Sequence, residues 1–246
     1  MTPAPVVMTA GVLGAVVASY ATTAALRATS EFAPDGARSQ CDGCRRQLRW
    51  SESLPLVSFA VLRGRCRTCA ARISSFHPIG EAVGLTAAVA IALVAPDFRA
   101  IPLGLMAAAL LAASVVDART KILPDLLVAA VAVMSASLAA AQGREALLTG
   151  LAASVIALVV LGGFSLFYER RRGQVGLGLG DVKLFGALAV WLGVATPWMV
   201  VFSMVLGLIT AMVSPPTDRK VIMGPMIALA GFVIGLLLEA GIWPRL

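Results

Sequence analysis

The sequence predicts an all-α fold, a polytopic membrane helix bundle of about eight spans with one small polar module inserted between the first span and the second. Three observations predict it. Of the 246 residues, 59% are hydrophobic and only 13% charged, and the mean hydropathy of +0.90 lies far above that of a soluble domain. The apolar residues gather into blocks of about 17 to 22, the length a helix needs to cross about 30 Å of hydrocarbon. Only the stretch 27–78 is long and polar enough to form a domain outside the bilayer.

Taken in order, the blocks fall near 6–26, 79–95, 101–116, 125–141, 146–168, 182–195, 197–213 and 225–242. The first has no basic stretch before it and no convincing small-residue cleavage site after it, so it is expected to be a mature span. The sixth is short enough that part of it could re-enter where protein buries it. Many blocks are rich in Ala, Gly and Ser, which let helix backbones approach closely in lipid. The organisation expected is therefore a first span over 1–26, a module over 27–78 and a seven-span core over 79–246.

Eight spans with both ends outside place 17 of the 20 Lys and Arg on one side, leaving Arg99, Arg144 and Arg245 on the other. By the positive-inside rule the basic side is cytosolic. The net charge of +7 is then explained by topology and by attraction to anionic membrane lipid, and it calls for no nucleic-acid partner.

All four cysteines lie in the module. Cys41 and Cys44 frame CDGC and Cys66 and Cys69 frame CRTC, two knuckles with 21 residues between them. That spacing suits a structural, tetrahedral four-thiolate zinc site. Two disulfides are the rival, and a reducing cytosol disfavours them. Thiols without metal are the other. A closed four-cysteine site leaves no open position for catalysis. The lone histidine, His77, has no second ligand nearby in sequence and reads as an interfacial residue.

Chemistry is sought among ionisable residues at span ends, where charge is costly and therefore functional by default. Asp117 closes the third span, Asp125 opens the fourth after Pro124, and Asp181 opens the sixth after the run Gly176, Gly178, Gly180. The alternating glycines permit unusual backbone and close approach of another chain, so the run is expected to form a substrate-binding mouth. A phosphate loop is excluded by the missing strand and GK[ST] ending, and by the charge of Asp181 at the helix start. Helix capping is the simple alternative for Asp181 and for Asp125. Two carboxylates that share a water can divide acid and base roles, as in aspartic proteases. That reading requires Asp117 and Asp181 to converge.

These motifs resemble the type IV prepilin peptidase family, the bifunctional leader peptidase and N-methyltransferase of bacteria. The resemblance runs through LRWSESLPLVSFAVLRGRCRTCAARIS, HPIGE, VVDARTKILPD, GLGLGDVKLFGALAVWLG and VIMGPMIAL, covering most of 41–229. It implies an inner-membrane aspartyl endopeptidase whose catalytic pair falls on Asp117 and Asp181. Its substrates would be prepilins or pseudopilins with a short basic leader held in the cytosol. Lys183 matches the lysine after the glycine motif, with snorkelling as its simpler role. The resemblance also implies methylation of the new amino terminus from S-adenosylmethionine. Glu52, matching the glutamate of a WEN-like stretch, is the candidate for that step, with a solvated loop carboxylate as the alternative. Near the amino terminus the family shows a GSFLN-like stretch where this chain reads GAVVASYATTAALR. A peptidase without methyl transfer, a non-catalytic scaffold of a pilus or secretion system, and, ranked last, a proton-coupled transporter are the competing functions.

Overall fold

A computed structural model describes residues 3–30, 39–95, 97–174, 176–213 and 221–243. Arg245 and most of the 214–224 loop, used above to orient the chain, lie outside the described residues. Each of the eight apolar blocks is helical, and no strand longer than an isolated bridge occurs among the described residues. Two compact units make up the chain, Met1–Leu93 and Val94–Leu246.

In the first unit, α1 (Ala4–Ala28) and α3 (Phe76–Val94) flank the cysteine module, which carries the short α2 (Val57–Val61). Gly14, Ala18 and Thr22 on α1 meet Gly80, Gly84 and Ala88 on α3, each set spaced by one helical turn. A Cβ added at Gly14 or at Gly84 would strike the other's backbone carbonyl. This small-residue seam, not side-chain bulk, joins the two helices, as expected where no water-driven collapse operates. On the same face of α3, Glu81 is buried. It accepts hydrogen bonds from Ser19 Oγ and from the Leu56 backbone N–H, both at 2.7 Å, so the buried carboxylate has partners.

The second unit holds α4 (Ala100–Thr120), α5 (Asp125–Gln142), α6 (Arg144–Arg172), α7 (Leu179–Leu192), α8 (Thr196–Val213) and α9 (Gly224–Glu239). Helix α7 is its core. Every residue from Leu184 to Leu192 is buried, against α5, α6 and α9, because the helix is apolar on all sides. Fourteen residues reach only about 21 Å, short of the bilayer core. Gly193 at φ 52° turns the chain through a single 3₁₀ turn into α8, so two of the expected spans form one stretch, Leu179–Val213.

Among the described residues, six helical stretches are long and apolar enough to cross a membrane, and α9 is a shorter apolar helix of 16 residues. The outer faces of α6 and α8 present Val155, Ile156, Val159, Val160, Val201 and Leu208. Such continuous exposed apolar surface marks lipid-facing helices.

Candidate active site and cysteine cluster

Asp117 sits in the last turn of α4. The helix ends at Lys121, which adopts the left-handed conformation and donates its N–H to the Asp117 carbonyl at 2.8 Å, a C-terminal cap that frees the chain to turn. Ile122, Leu123 and Pro124 make the turn, and Pro124 caps α5. Leu123 then packs on the first turn of α7, where a Cβ on Gly180 would lie 3.0 Å from its own. That approach brings the 117–125 turn and the 178–183 turn to the two sides of one cleft of about 430 Å³.

Asp117 and Asp181 both line this cleft. Asp117 is only 5% exposed, and its Oδ2 accepts the backbone N–H of Gly224, the first residue of α9, at 2.9 Å. Asp181 is half-buried. It is the third residue of α7, in the first turn where the macrodipole favours an acid, and its Oδ2 lies against Gly178, where an added Cβ would stand 2.9 Å away. Each carboxylate thus abuts a glycine, Gly224 or Gly178, with acceptor capacity left toward the cleft.

Of the two reasons expected for the glycine run, one is met within the chain. None of Gly176, Gly178 and Gly180 has positive φ, so conformational licence is not what these positions use. Close approach is. A Cβ would meet the Tyr168 ring at Gly176, the Asp181 carboxylate at Gly178 and Leu123 at Gly180. Gly178 and Gly180 line the cleft, whereas Gly176 lies beneath Tyr168 and is not among the lining residues. Ser165 on α6 donates to the Leu177 carbonyl at 2.7 Å and holds the run from behind. Lys183 also lines the cleft, but its ammonium pairs with Asp125 at 2.7 Å. Sequence reasoning missed Gly224, Ser165 and Tyr168. The Gly-Pro pair opening α9 was the available signal for the first.

The cysteine knuckles repeat one geometry. Cys41 and Cys66 each accept an N–H from the residue four further on, Arg45 or Ala70, and that residue is left-handed in both. The four sulfurs lie within 4.8 Å of one another, with Cys41 and Cys69 Sγ 3.7 Å apart. Four thiolates at about 2.3 Å from one tetrahedral ion stand about 3.8 Å apart, so the cluster fits a single metal ion. Backbone N–H groups of Cys69 and Thr68 pull the Cys66 thiol down to about 6, which favours the ligating thiolate.

Glu52 stands behind this cluster. Both its oxygens accept from the Arg46 guanidinium at 2.9 Å, and Oε2 also accepts the Arg49 N–H at 2.9 Å. Arg46 itself belongs to the first knuckle, its carbonyl accepting the Cys41 N–H at 2.9 Å. The Glu52 side chain, 5% exposed, is therefore no solvated loop carboxylate.

Comparison with known proteins places this chain in a family. Residues 12–95 match the Bacterial Peptidase A24 N-terminal domain and residues 104–212 match the Type IV leader peptidase family. The chain is 35% identical over 202 residues to the type 4 prepilin-like proteins leader peptide-processing enzyme of Escherichia coli O78:H11, covering 79% of this chain and 73% of that one. It is 35% identical over 207 residues to a prepilin leader peptidase/N-methyltransferase of Burkholderia pseudomallei, covering 79% and 65%. A protein of that name from Neisseria gonorrhoeae is 31% identical over 202 residues, covering 80% and 70%. No solved structure matches. The chain belongs to the type IV leader peptidase family.

Proposed function

We propose that the chain is an aspartyl endopeptidase that removes the leader of type IV prepilins or pseudopilins, with Asp117 and Asp181 as its reacting pair. The observation that carries this reading is that the two carboxylates, from separate helices, line one cleft, Asp117 held by the Gly224 N–H and Asp181 lying against Gly178. One carboxylate takes a proton from a water as that water attacks the scissile carbonyl. The other gives a proton to the carbonyl oxygen. The half-buried backbone of Gly178 and Gly180 at the cleft offers an edge to an extended substrate, and Gly176 seats that edge on Tyr168. Lys183 stands at the cleft rim, where it can meet substrate or lipid headgroups.

The cleft end of the second unit carries Arg119, Lys121, Lys183 and, in the last turn of α6, Arg170 to Arg172. That excess supports a cytosolic face at the bacterial inner membrane. Cys41, Cys44, Cys66 and Cys69 would hold a structural zinc ion, which supplies folding energy to a small module rather than a reaction centre. Anionic lipid is the partner that the basic module fits.

Asp117→Asn and Asp181→Asn test the peptidase reading, since each keeps shape and removes proton transfer. Processing of a prepilin-type substrate is expected to fall by about 10⁴ in either variant, and no further in the double variant, because the two groups act as a unit. Retained processing in either would favour a scaffold.

A second reading is favoured by the relatives named N-methyltransferases. The freed amine would attack the methyl carbon of S-adenosylmethionine, leaving the homocysteine thioether and a proton. The mass of the processed amino terminus tests it, with Glu52 as the residue to vary.

A further inference from the structure

At the end of the second unit opposite the cleft, one carboxylate collects four helices. Glu239 is the last residue of α9, and its side chain is fully buried. Arg99, which caps the start of α4, reaches its Oε2 with Nη1 at 2.7 Å. Gln142, the last residue of α5, donates to its Oε1 at 2.8 Å. Trp191, near the end of α7, donates its indole N–H to the same oxygen at 3.1 Å. Arg99 is itself steadied by Asp97, at 2.9 Å from Nη2. One turn before Glu239, the Trp191 ring lies against Gly235, where any Cβ would overlap it.

A buried acid at a helix C-terminus is disfavoured twice, by desolvation and by the macrodipole. Its presence in an otherwise apolar bundle therefore needs its partners, and ionisable groups in such places are functional candidates. The partners are informative. Helix α4 carries Asp117 at its other end, α7 carries Asp181, and α9 begins with Gly224, which holds Asp117. Helices α4 and α9 are thus fastened to each other at both ends, by Gly224 to Asp117 beside the cleft and by Glu239 to Arg99 at the far side. The same carboxylate fixes α7.

We propose that Glu239 is a positioning residue for the cleft, setting the register of α4, α7 and α9 and so the placement of Asp117 against Asp181. The inference rests on the peptidase reading for its consequence, although not for its geometry. Helices are stiff, and a misplacement of about 1 Å at a reacting group costs about a hundredfold in rate.

Full-length protein in nanodiscs, as wild type and as Glu239→Gln, decides it through two measurements, amide hydrogen exchange and steady-state cleavage of a prepilin-type peptide. Exchange of the Gly224 N–H and of the first turn of α7 is expected to rise about tenfold, and kcat to fall about tenfold with KM within about twofold. Wild-type exchange at Gly224 with unchanged kcat per folded molecule overturns the proposal, as does a lowered melting temperature with neither of those effects. If wild type itself cleaves nothing, the peptidase reading fails and the exchange comparison alone judges the clasp. Should Glu239→Gln not fold, Arg99→Lys keeps the cation but loses the fork that serves Asp97 and Glu239 together. It is expected to move the same readings about threefold, and wild-type exchange in it would overturn the proposal.

Discussion

The backbone N–H of Gly224 donates to Asp117 Oδ2 at 2.9 Å, across 107 residues of chain. A Cβ at Gly224 would lie 2.6 Å from that oxygen and 3.0 Å from the carboxyl carbon. Gly224→Ala must therefore move either α9 or the carboxylate. The expected outcome is loss of leader cleavage by about a hundredfold in a protein that still inserts and elutes as wild type does. Gly104, on the same helix as Asp117, has nothing within 4 Å of its would-be Cβ, so Gly104→Ala should cleave normally. Equal activity in the two variants would remove Gly224 from the site.

Removal of the metal reads on the first unit. Purified protein is expected to carry one zinc per chain, and Cys44→Ser to lose it, as judged by elemental analysis. Glu52→Gln tests the layer behind the ligands. It leaves Arg46, whose carbonyl accepts the Cys41 N–H, without its carboxylate, and metal affinity should fall about 10- to 100-fold in competition with a chelator.

The acid dependence of that layer has a definite sign. Arg46, then the Arg49 N–H, hold the Glu52 carboxyl down at about 2, well below the usual carboxylate range. A carboxyl depressed on folding contributes stability that is complete above its unfolded value and is lost as pH falls toward the folded one. Between pH 7 and 5 the Arg46 pair should therefore stay intact. Titration of Glu52, followed by its carboxyl resonance, should occur near pH 2 in the folded module and shift upward in Arg46→Gln.

Exposed pairing at the cleft rim carries little stability. Lys183 and Asp125 are 52% and 77% exposed, and such pairs contribute about 0 to 1 kcal/mol. Lys183→Gln is expected to leave the thermal midpoint within about 2 °C of wild type. Any change in KM for a basic leader then reports the rim's contact with substrate. A large loss of stability would show that Lys183 has a packing role.

The apolar blocks made the helices legible because length and apolarity are local properties, and the cysteine spacing made the knuckles legible for the same reason. The convergence of Asp117 and Asp181 on one cleft could be anticipated from their places at span ends. What escaped were relationships across the chain. Glu81 and Glu239 lie within predicted spans and met the same criterion of costly intramembrane charge, yet neither drew notice beside the more recognisable aspartates. Their partners, Ser19 and Leu56 for one and Arg99, Gln142 and Trp191 for the other, are brought together only by folding. The glycine run was legible as a feature, and close approach was one of its two expected reasons; that Tyr168, Asp181 and Leu123 are what approach it is invisible before those side chains have positions.

Ser165 shows how far that crowding extends from the cleft. Its hydroxyl is 2% exposed and donates to the Leu177 carbonyl, one residue before Gly178. In Ser165→Ala that carbonyl loses its partner where water cannot readily replace it, at a cost of about 1 to 3 kcal/mol. Leu177 then has less to hold it on α6, and Gly178, which lies against the Asp181 carboxylate, moves with it. A defect confined to stability would lower the melting temperature and spare the kinetics of the folded fraction. A defect in placement would raise KM if Gly178 and Gly180 present the substrate edge, and lower kcat if the Asp181 carboxylate shifts with Gly178. Both kinetic changes are expected, each about three- to tenfold by analogy with small displacements near reacting groups. Cysteine in place of Ser165 restores only a weak donor, so Ser165→Cys should fall between wild type and Ser165→Ala in both constants. An order in which the cysteine variant is the worst of the three would point to bulk at this position, not to the hydrogen bond, as what holds the run.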